Sequence, residues 1–492
     1  MSREYVLQPF HKQVELKIDY ARELNEQQHA AVTAAPGPAL VIAGAGSGKT
    51  RTLTYRVAFL LEQGIQPDRI LLLTFTNKAA REMMRRVNDI LGEDLSSLWG
   101  GTFHSVGNRI LRRHADRLGY KPDFTILDRE DSKDLIQACI DAANLPTTEV
   151  RFPKAEMLGD MFSMAVNTSQ SIHKILESNY HAFAGMSDPI TQIQSAFQER
   201  KRQNNVMDFD DLLVLWLKLL RENDDVREQY QRRFQFVLVD EYQDTNKLQS
   251  DLIDLLVERS RNLMVVGDDS QSIYSWRGAN FRNIIEFPQR YPESRIYKIE
   301  TNYRSTPEIL ELANAAIALN TRQYPKHLVS ACKPGDKPAL VICGDAHQQA
   351  SFIAQRALEL RDEGMSLNDM AVLYRSHFHA MELQIELTRR NIPFSITSGI
   401  RFFEQAHIKD IAAFLKLVNN PADELSFKRV VRLLPGVGAK SADKLWLCFA
   451  ESFARVPADN PHRLASALQA CAKSIPKKAA VAWAQFTATF AQ

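Results

Sequence analysis

Six short runs along the chain are apolar at nearly every position: "ALVIA" (39–43), "ILLLTF" (70–75), "FVLVD" (236–240), "LMVVG" (263–267), "ALVIC" (339–343) and "MAVLY" (370–374). A half-buried strand alternates apolar and polar residues, because successive side chains point to opposite faces. Short continuous apolar runs instead predict strands buried on both faces, as in a parallel sheet. Stretches of helical period lie between them, such as "TRTLTYRVAFLLEQG" (50–64). Strand and helix in alternation predict an α/β fold built from βαβ units.

The rhythm breaks twice. From about Gly107 to Asn205 the pattern is helical, with no strand signal, which reads as a helical insertion into the first α/β domain. After about Phe402 it is helical again to Gln492. The strand runs at 339–343 and 370–374 predict a second α/β domain.

Bulk properties narrow the class. At 492 residues the chain is too long for one ordinary core, so several domains are expected. Its 45% hydrophobic and 24% charged residues are those of a globular protein. With a net charge of only +2, any nucleic-acid binding must come from local basic surfaces. Five scattered cysteines without a CxxC pair read as reduced thiols. The polar N-terminus carries no signal-peptide core, and "LLVLWLKLL" (212–220) is too short to span a bilayer. The expectation is a cytoplasmic protein with no membrane association.

Chemistry enters at "AGAGSGKT" (43–50), between a strand and a helical pattern. It fits the P-loop except that Ala43 stands where the first glycine belongs. The amides of Gly46, Ser47 and Gly48 would cradle phosphate oxygens at a helix N-terminus, with Gly44, Ala45 and Arg51 beside them. Lys49 would reach the β- and γ-phosphates, and Thr50 would hold Mg²⁺. "FVLVDEYQD" (236–244) ends a buried strand in Asp240 and Glu241. The first suits a Mg²⁺ ligand and the second a base for an attacking water. Together the two motifs indicate hydrolysis of a magnesium-bound nucleoside triphosphate.

The stretch "VVGDDSQSIYSWRGAN" (265–280) mixes two chemistries. Its strand end and Gln271 suit a nucleotide site. Tyr274 and Trp276 suit base stacking, worth roughly 1–3 kcal/mol per base whatever the sequence. Arg277 is available for a phosphate or a cation–π contact. Arg109, Arg113 and Arg117, spaced i, i+4, i+8, predict a basic helix face, either tracking nucleic-acid backbone or simply solvated.

Eight stretches, in order, resemble the motifs of superfamily 1 DNA helicases of the UvrD/Rep/PcrA type: "LNEQQHAAV", "AGAGSGKT", "LLTFTNKAAREM", "GTFHS", "DFDDLL", "LVDEYQDTN", "VVGDDSQSIYSWRGA" and "TNYRSTPEI". The resemblance implies a P-loop NTPase with two RecA-like motor domains, each carrying a helical insertion, using ATP and Mg²⁺ to move 3′→5′ along single-stranded DNA. It implies action at junctions of single- and double-stranded DNA, alongside repair or replication partners. The corresponding division is 1–106 and 206–280 for the first motor domain, 107–205 for its insertion, 281–397 for the second motor domain and 398–492 for the start of its insertion.

By the same resemblance, Gln28 reads the adenine edge and Tyr303 stacks on the adenine. Gln271 senses the γ-phosphate, and Arg304 neutralises charge on the transferred phosphoryl group. Phe75, Thr74, Thr76 and Asn77 form part of the DNA path, and Thr102 and His104 contact DNA phosphates. "RLLPGVGAKSADKLW" (432–446) resembles a helix-hairpin-helix, whose Gly436 and Gly438 let backbone amides approach a phosphate. The family's two last motifs, including a second arginine at the ATP, have no counterpart after Leu445. The second motor domain is therefore expected to be incomplete. The alternative to a helicase is an ATP- and single-stranded-DNA-binding module without robust unwinding.

Overall fold

The computed structural model describes residues 16–92, 97–143, 152–396, 406–457 and 460–491. The chain forms two compact units, Met1–Gly335 with Ala412–Gln492, and Asp336–Ile411. The domain boundary drawn at 397 and 398 lies outside the described residues.

The strands are β1 (Ala39–Ala43), β2 (Ile70–Thr74), β3 (Trp99–Thr102), β4 (Thr125–Ile126), β5 (Val206–Met207), β6 (Phe236–Val239), β7 (Leu263–Gly267), β8 (Arg295–Ile299), β9 (Thr301–Asn302) and β10 (Val329–Ser330). Six of them form one parallel sheet in the order β3-β2-β6-β7-β1-β8. The continuous apolar runs fill cores on both of its faces. Leu40, Ile42, Leu71, Leu73, Val237, Val239 and Val265 point to one, and Val41, Ala43, Ile70, Leu72, Leu238, Met264 and Val266 to the other. Four of the six runs expected to be strands are therefore strands of this sheet.

Two strands of this sheet were not anticipated, and both are edges. β3, "WGGT", has two glycines, and β8, "RIYKI", exposes Arg295 and Lys298. An edge strand is partnered on one side only and needs no unbroken apolar run. The helical reading of 107–205 also changes slightly, since β4 pairs in parallel with β5 and ties the two ends of the inserted helices together. These helices, Arg129–Ala142, Ala155–Thr168, Ile172–Asn179 and Ser187–Gln203, pack around their own core of Leu135, Leu158, Phe162, Ile193 and Phe197.

The C-terminal helices, among them Glu424–Arg432 and Ala439–Arg455, enclose Phe427, Leu445, Phe449 and Trp483. Arg200 of the inserted helices donates to Glu424 at 2.9 Å.

The second unit corrects an expectation. Residues 339–343 and 370–374 form no strands, and Leu340, Ile342 and Leu373 are 88–94% exposed. A run buried on both faces needs neighbouring strands as well as covering helices. Among the described residues neither run has a ladder partner, so neither is a strand. What holds this unit together is the packing of helices Ala346–Asp362 and Met381–Arg389 through Ala350, Ala354, Leu383 and Leu387. Among the described residues no helix is long and apolar enough to cross a membrane.

One buried charge group anchors the inserted helices to the sheet domain. Lys201 lies 2.6 Å from both Asp208 and Asp211. Burial opposes its charge, but the two carboxylates outweigh burial and push the ammonium up. Asp208 also caps the helix Phe209–Glu222 in a box with Asp211. Lys201→Met strands two carboxylates and is expected to cost about 3–5 kcal/mol in urea unfolding. Lys218→Met, on an exposed face, is expected to cost well under about 1 kcal/mol. Equal losses would contradict this account of the anchor.

Candidate functional site

The loop after β1 turns because Gly46 and Gly48 adopt φ of +73° and +89°. Both also permit close approach. A Cβ at Gly46 would lie 2.7 Å from the Arg304 Cβ, and one at Gly48 would lie 2.7 Å from Gln28 Nε2. The loop runs into the helix Lys49–Glu62, whose first turn leaves amides unpaired and favours an anion. Ala43 is the buried end of β1, so the position that departs from the P-loop pattern belongs to the strand rather than the turn.

Other segments converge on this loop. Gln28 is buried, and its Nε2 donates to the Ser47 carbonyl at 2.9 Å. It is held there by a capping box with Asn25, which begins the helix Glu26–Val32. The Tyr303 N–H donates to the Gly46 carbonyl at 2.9 Å, and its exposed ring accepts from Asn25 Nδ2 at 2.8 Å through Oη. Arg304 is exposed, and its N–H donates to Asn302 Oδ1 at 2.8 Å. Asn302 was missed in the sequence, yet its amide also reaches the Ala45 carbonyl and fixes the whole turn to the loop. Arg51 leaves this cluster, donating to the Glu23 carbonyl at 2.7 Å.

Asp240 and Glu241 follow β6. Burial, and then the neighbouring Glu241, push the Asp240 carboxyl up to about 7. Glu241 adopts φ +49°, unusual for a residue with a side chain, and its carboxylate lies 3.4 Å from Lys49 Nζ. Gln243 Nε2 donates to Glu241 Oε2 at 2.9 Å, and Gln243 Oε1 accepts the Asp268 N–H at 3.0 Å. Gln271 Nε2 donates to Asp268 Oδ2 at 2.7 Å. Lys49, Glu241, Gln243, Asp268 and Gln271 thus form one polar chain. All five positions fall within motifs read from the sequence, but Gln243 and Asp268 were given no role there.

Three to six residues past Gln271 the chemistry changes. Tyr274 stacks on Phe75 with ring centroids 5.3 Å apart. Both line a cleft of about 550 Å³ with Trp276, His104, Asn167, Asp210 and Asp244. Trp276 is 63% exposed, and the Arg277 side chain lies outside the described residues. His104 packs its ring edge-on against Phe209, and burial pushes its pKa down. Thr76 and Thr102 cap the helices that open at this rim, accepting from Ala79 N–H at 3.1 Å and Ser105 N–H at 3.2 Å. Asn77 Oδ1 accepts from the Thr102 hydroxyl at 3.4 Å. Asn167, from the inserted helices, donates to Asp210 Oδ1 at 3.0 Å and accepts from Asn246. A Cβ at Gly278 (φ +84°) would lie 2.8 Å from the Asn167 Cβ.

Two sequence features lie apart from this cleft. Arg109 and Arg113 stack over Trp99, at 3.8 and 5.2 Å from its ring, while Arg117 lies beyond the helix and pairs with Asp225 at 3.0 Å. The predicted basic face therefore covers a tryptophan, which spacing alone did not reveal. Gly436, at φ +82°, and Gly438 are exposed on a turn between two helices, pinned from beneath by buried Val437.

The family model of the UvrD/REP helicase N-terminal domain matches residues 24–292, and that of the UvrD-like helicase C-terminal domain matches residues 297–452. The chain is similar to proteins named ATP-dependent DNA helicase PcrA. That of Staphylococcus epidermidis is 37% identical over 429 residues, 86% of this chain and 58% of the relative. That of Leuconostoc citreum is 39% identical over 426 residues, 86% of this chain and 56% of the relative. The chain thus spans less than three-fifths of the length of these relatives. Matched across its sheet domain, its nucleotide loop and the segments that converge on it, the chain belongs to the superfamily 1 helicases of the UvrD/PcrA type.

Proposed function

We propose that the protein is an ATP-dependent DNA translocase that moves 3′→5′ on single-stranded DNA and engages junctions with duplex DNA. The observation that carries this reading is the unbroken polar chain from Lys49 to Gln271, continued in sequence by the aromatic cleft of Tyr274 and Trp276. In this reading the loop amides from Gly44 to Gly48 and Lys49 bind the phosphates, Gln28 and Tyr303 bind the adenine, and Arg51 flanks it. Water attacks the γ-phosphorus, the bond to the β–γ bridging oxygen breaks, and the attacking water's proton passes to Glu241. Gln271 orients that water, and Arg304 balances the charge that develops.

A buried carboxylate at a strand end, with a hydroxyl one residue beyond the phosphate-binding lysine, fits a divalent cation. Asp240 and Thr50 would hold Mg²⁺, which supplies charge neutralisation at the phosphates.

On the DNA side, Phe75, Tyr274 and Trp276 would stack bases, with Arg277 beside them. Thr76, Asn77, Thr102 and His104 would contact the backbone, and the Gly436 and Gly438 amides would meet duplex phosphates. The 3′→5′ direction, a role in repair or replication, and a cytoplasmic setting follow the family's habit and belong to this proposal. A second reading is ATP and single-stranded-DNA binding without robust unwinding. It is favoured by the runs at 339–343 and 370–374 of the second unit, which form no strand among the described residues.

ATP turnover with and without oligo(dT) separates the two readings. The first expects stimulation by DNA that falls at least about 100-fold in Lys49→Ala. Nucleotide binding with no turnover supports the second, and no nucleotide binding at all contradicts both. Trp276→Ala is expected to weaken oligo(dT) binding by about 1–3 kcal/mol while leaving ADP affinity unchanged. Equal loss of both would rule out a separate base-stacking role.

Asp210 offers a pH test. Burial, and then Asp208, push its carboxyl up to about 6. It is anionic above that pH and neutral below it, so its repulsion of DNA phosphates fades as pH falls. Oligo(dT) affinity should therefore rise between about pH 7.5 and 5.5 by more in the parent than in Asp210→Asn. Identical pH profiles would remove Asp210 from the DNA path.

A further inference from the structure

The sequence reading gave no role to the segment after the helix Pro307–Ile317, yet this segment touches both halves of the nucleotide site. Leu328 packs against the P-loop so closely that a Cβ on Gly44 would lie 2.4 Å from its Cδ2. Two residues earlier, the side chain of Lys326 is only 5% exposed. Its ammonium lies 2.9 Å from Asp268 Oδ1 and 2.6 Å from Asp269 Oδ1. The other oxygen of Asp269 accepts the Tyr324 N–H at 3.0 Å. The Tyr324 hydroxyl in turn donates to the carbonyls of Ile284 and Ile285 at 3.3 and 3.2 Å. The ammonium of Lys326 thus faces two adjacent buried carboxylates, one of them also held by the Tyr324 N–H.

The consequence lies at Gln271. The second oxygen of Asp268 accepts from Gln271 Nε2. A carboxylate only accepts hydrogen bonds, so it fixes which end of the amide faces it. The NH₂ turns toward Asp268, and Oε1 is the end left to accept a proton donor such as a water. Lys326 holds the first oxygen, Oδ1, and so keeps Oδ2 turned toward Gln271.

We propose that Lys326 is a positioning residue. By pinning Oδ1 of Asp268, it keeps Oδ2 on Gln271 Nε2 and so sets the orientation in which Gln271 presents its carbonyl oxygen to the water at the terminal phosphate. The proposal rests on reading Gln271 as the residue at that phosphate. A purely structural lysine would affect folding and all nucleotide binding alike. A positioning lysine affects recognition of the transferring phosphoryl group and spares the diphosphate.

The test is titration of the full chain, with Mg²⁺ and oligo(dT) present, by ADP and by ADP with aluminium fluoride, which mimics the transferring phosphoryl group. Parent, Lys326→Met and Lys326→Arg are compared, with thermal unfolding alongside. The parent is expected to prefer the fluoride complex over ADP by at least about 10-fold. In Lys326→Met that preference should fall below about 3-fold while ADP affinity stays within about 2-fold, and Lys326→Arg should recover it in part. A parent-like preference in Lys326→Met overturns the proposal and leaves the nucleotide site standing. Joint loss of ADP affinity and preference, unrescued by arginine, makes the residue structural and also overturns it. A parent chain that binds no ADP overturns the nucleotide reading and this proposal together. Should Lys326→Met fail to fold, Asp268→Leu, which removes the acceptor facing Gln271, gives the same readout, and retained preference there overturns the proposal.

Discussion

The side chain of Gln243 spans the gap between two strand ends, and the organisation of the site depends on it. One end of its amide donates to Glu241 after β6, and the other accepts the Asp268 N–H after β7. The span is short because the neighbouring residue is glycine. A Cβ on Gly267 would lie 2.6 Å from Gln243 Oε1. Parallel strands place their C-terminal ends side by side at one edge of the sheet, which is where α/β folds gather ligand-binding loops. The sheet supplies adjacency, and Gln243 turns adjacency into a hydrogen-bonded connection.

From there the geometry extends both ways. Toward β1 it reaches Lys49 and the loop that Asn302 and Gln28 brace. Along the chain after Asp268 it reaches Gln271 and then the aromatic cleft, whose far wall comes from the inserted helices through Asn167. Gln271 of the polar chain and the aromatics of the cleft therefore share one short loop, braced by buried polar contacts at its start and by Asn167 against Gly278 at its end. A loop held at both ends has few ways to move, so a change at one end is passed to the other rather than absorbed.

The parts of this arrangement legible in the sequence are the local ones. The P-loop, the acidic end of β6 and the stacking aromatics each lie within a few consecutive residues, and their chemistry is carried by residue type. The four inner strands were legible because burial on both faces leaves no polar positions. The edge strands β3 and β8 were not, since a single neighbour imposes no such pattern. The arginines at 109 and 113 have the spacing of a basic helix face, but Trp99 meets them from strand β3. Gln243 escaped notice because its role depends on a missing Cβ across the sheet. The runs at 339–343 and 370–374 show the converse: strand-like composition makes no strand where no ladder lies beside it.

The claim at the centre of this account is that Gln243 couples the phosphate site to the stacking cleft. Its most direct test is a linkage measurement: oligo(dT) affinity with no nucleotide, with ADP and with a non-hydrolysable ATP analogue, in the parent and in Gln243→Leu. Coupling of about 1–3 kcal/mol is expected between nucleotide state and DNA affinity in the parent. In Gln243→Leu each ligand should still bind, while the nucleotide-dependent change in DNA affinity falls below about 2-fold. A variant that binds both ligands and keeps the parent's full coupling would contradict the account.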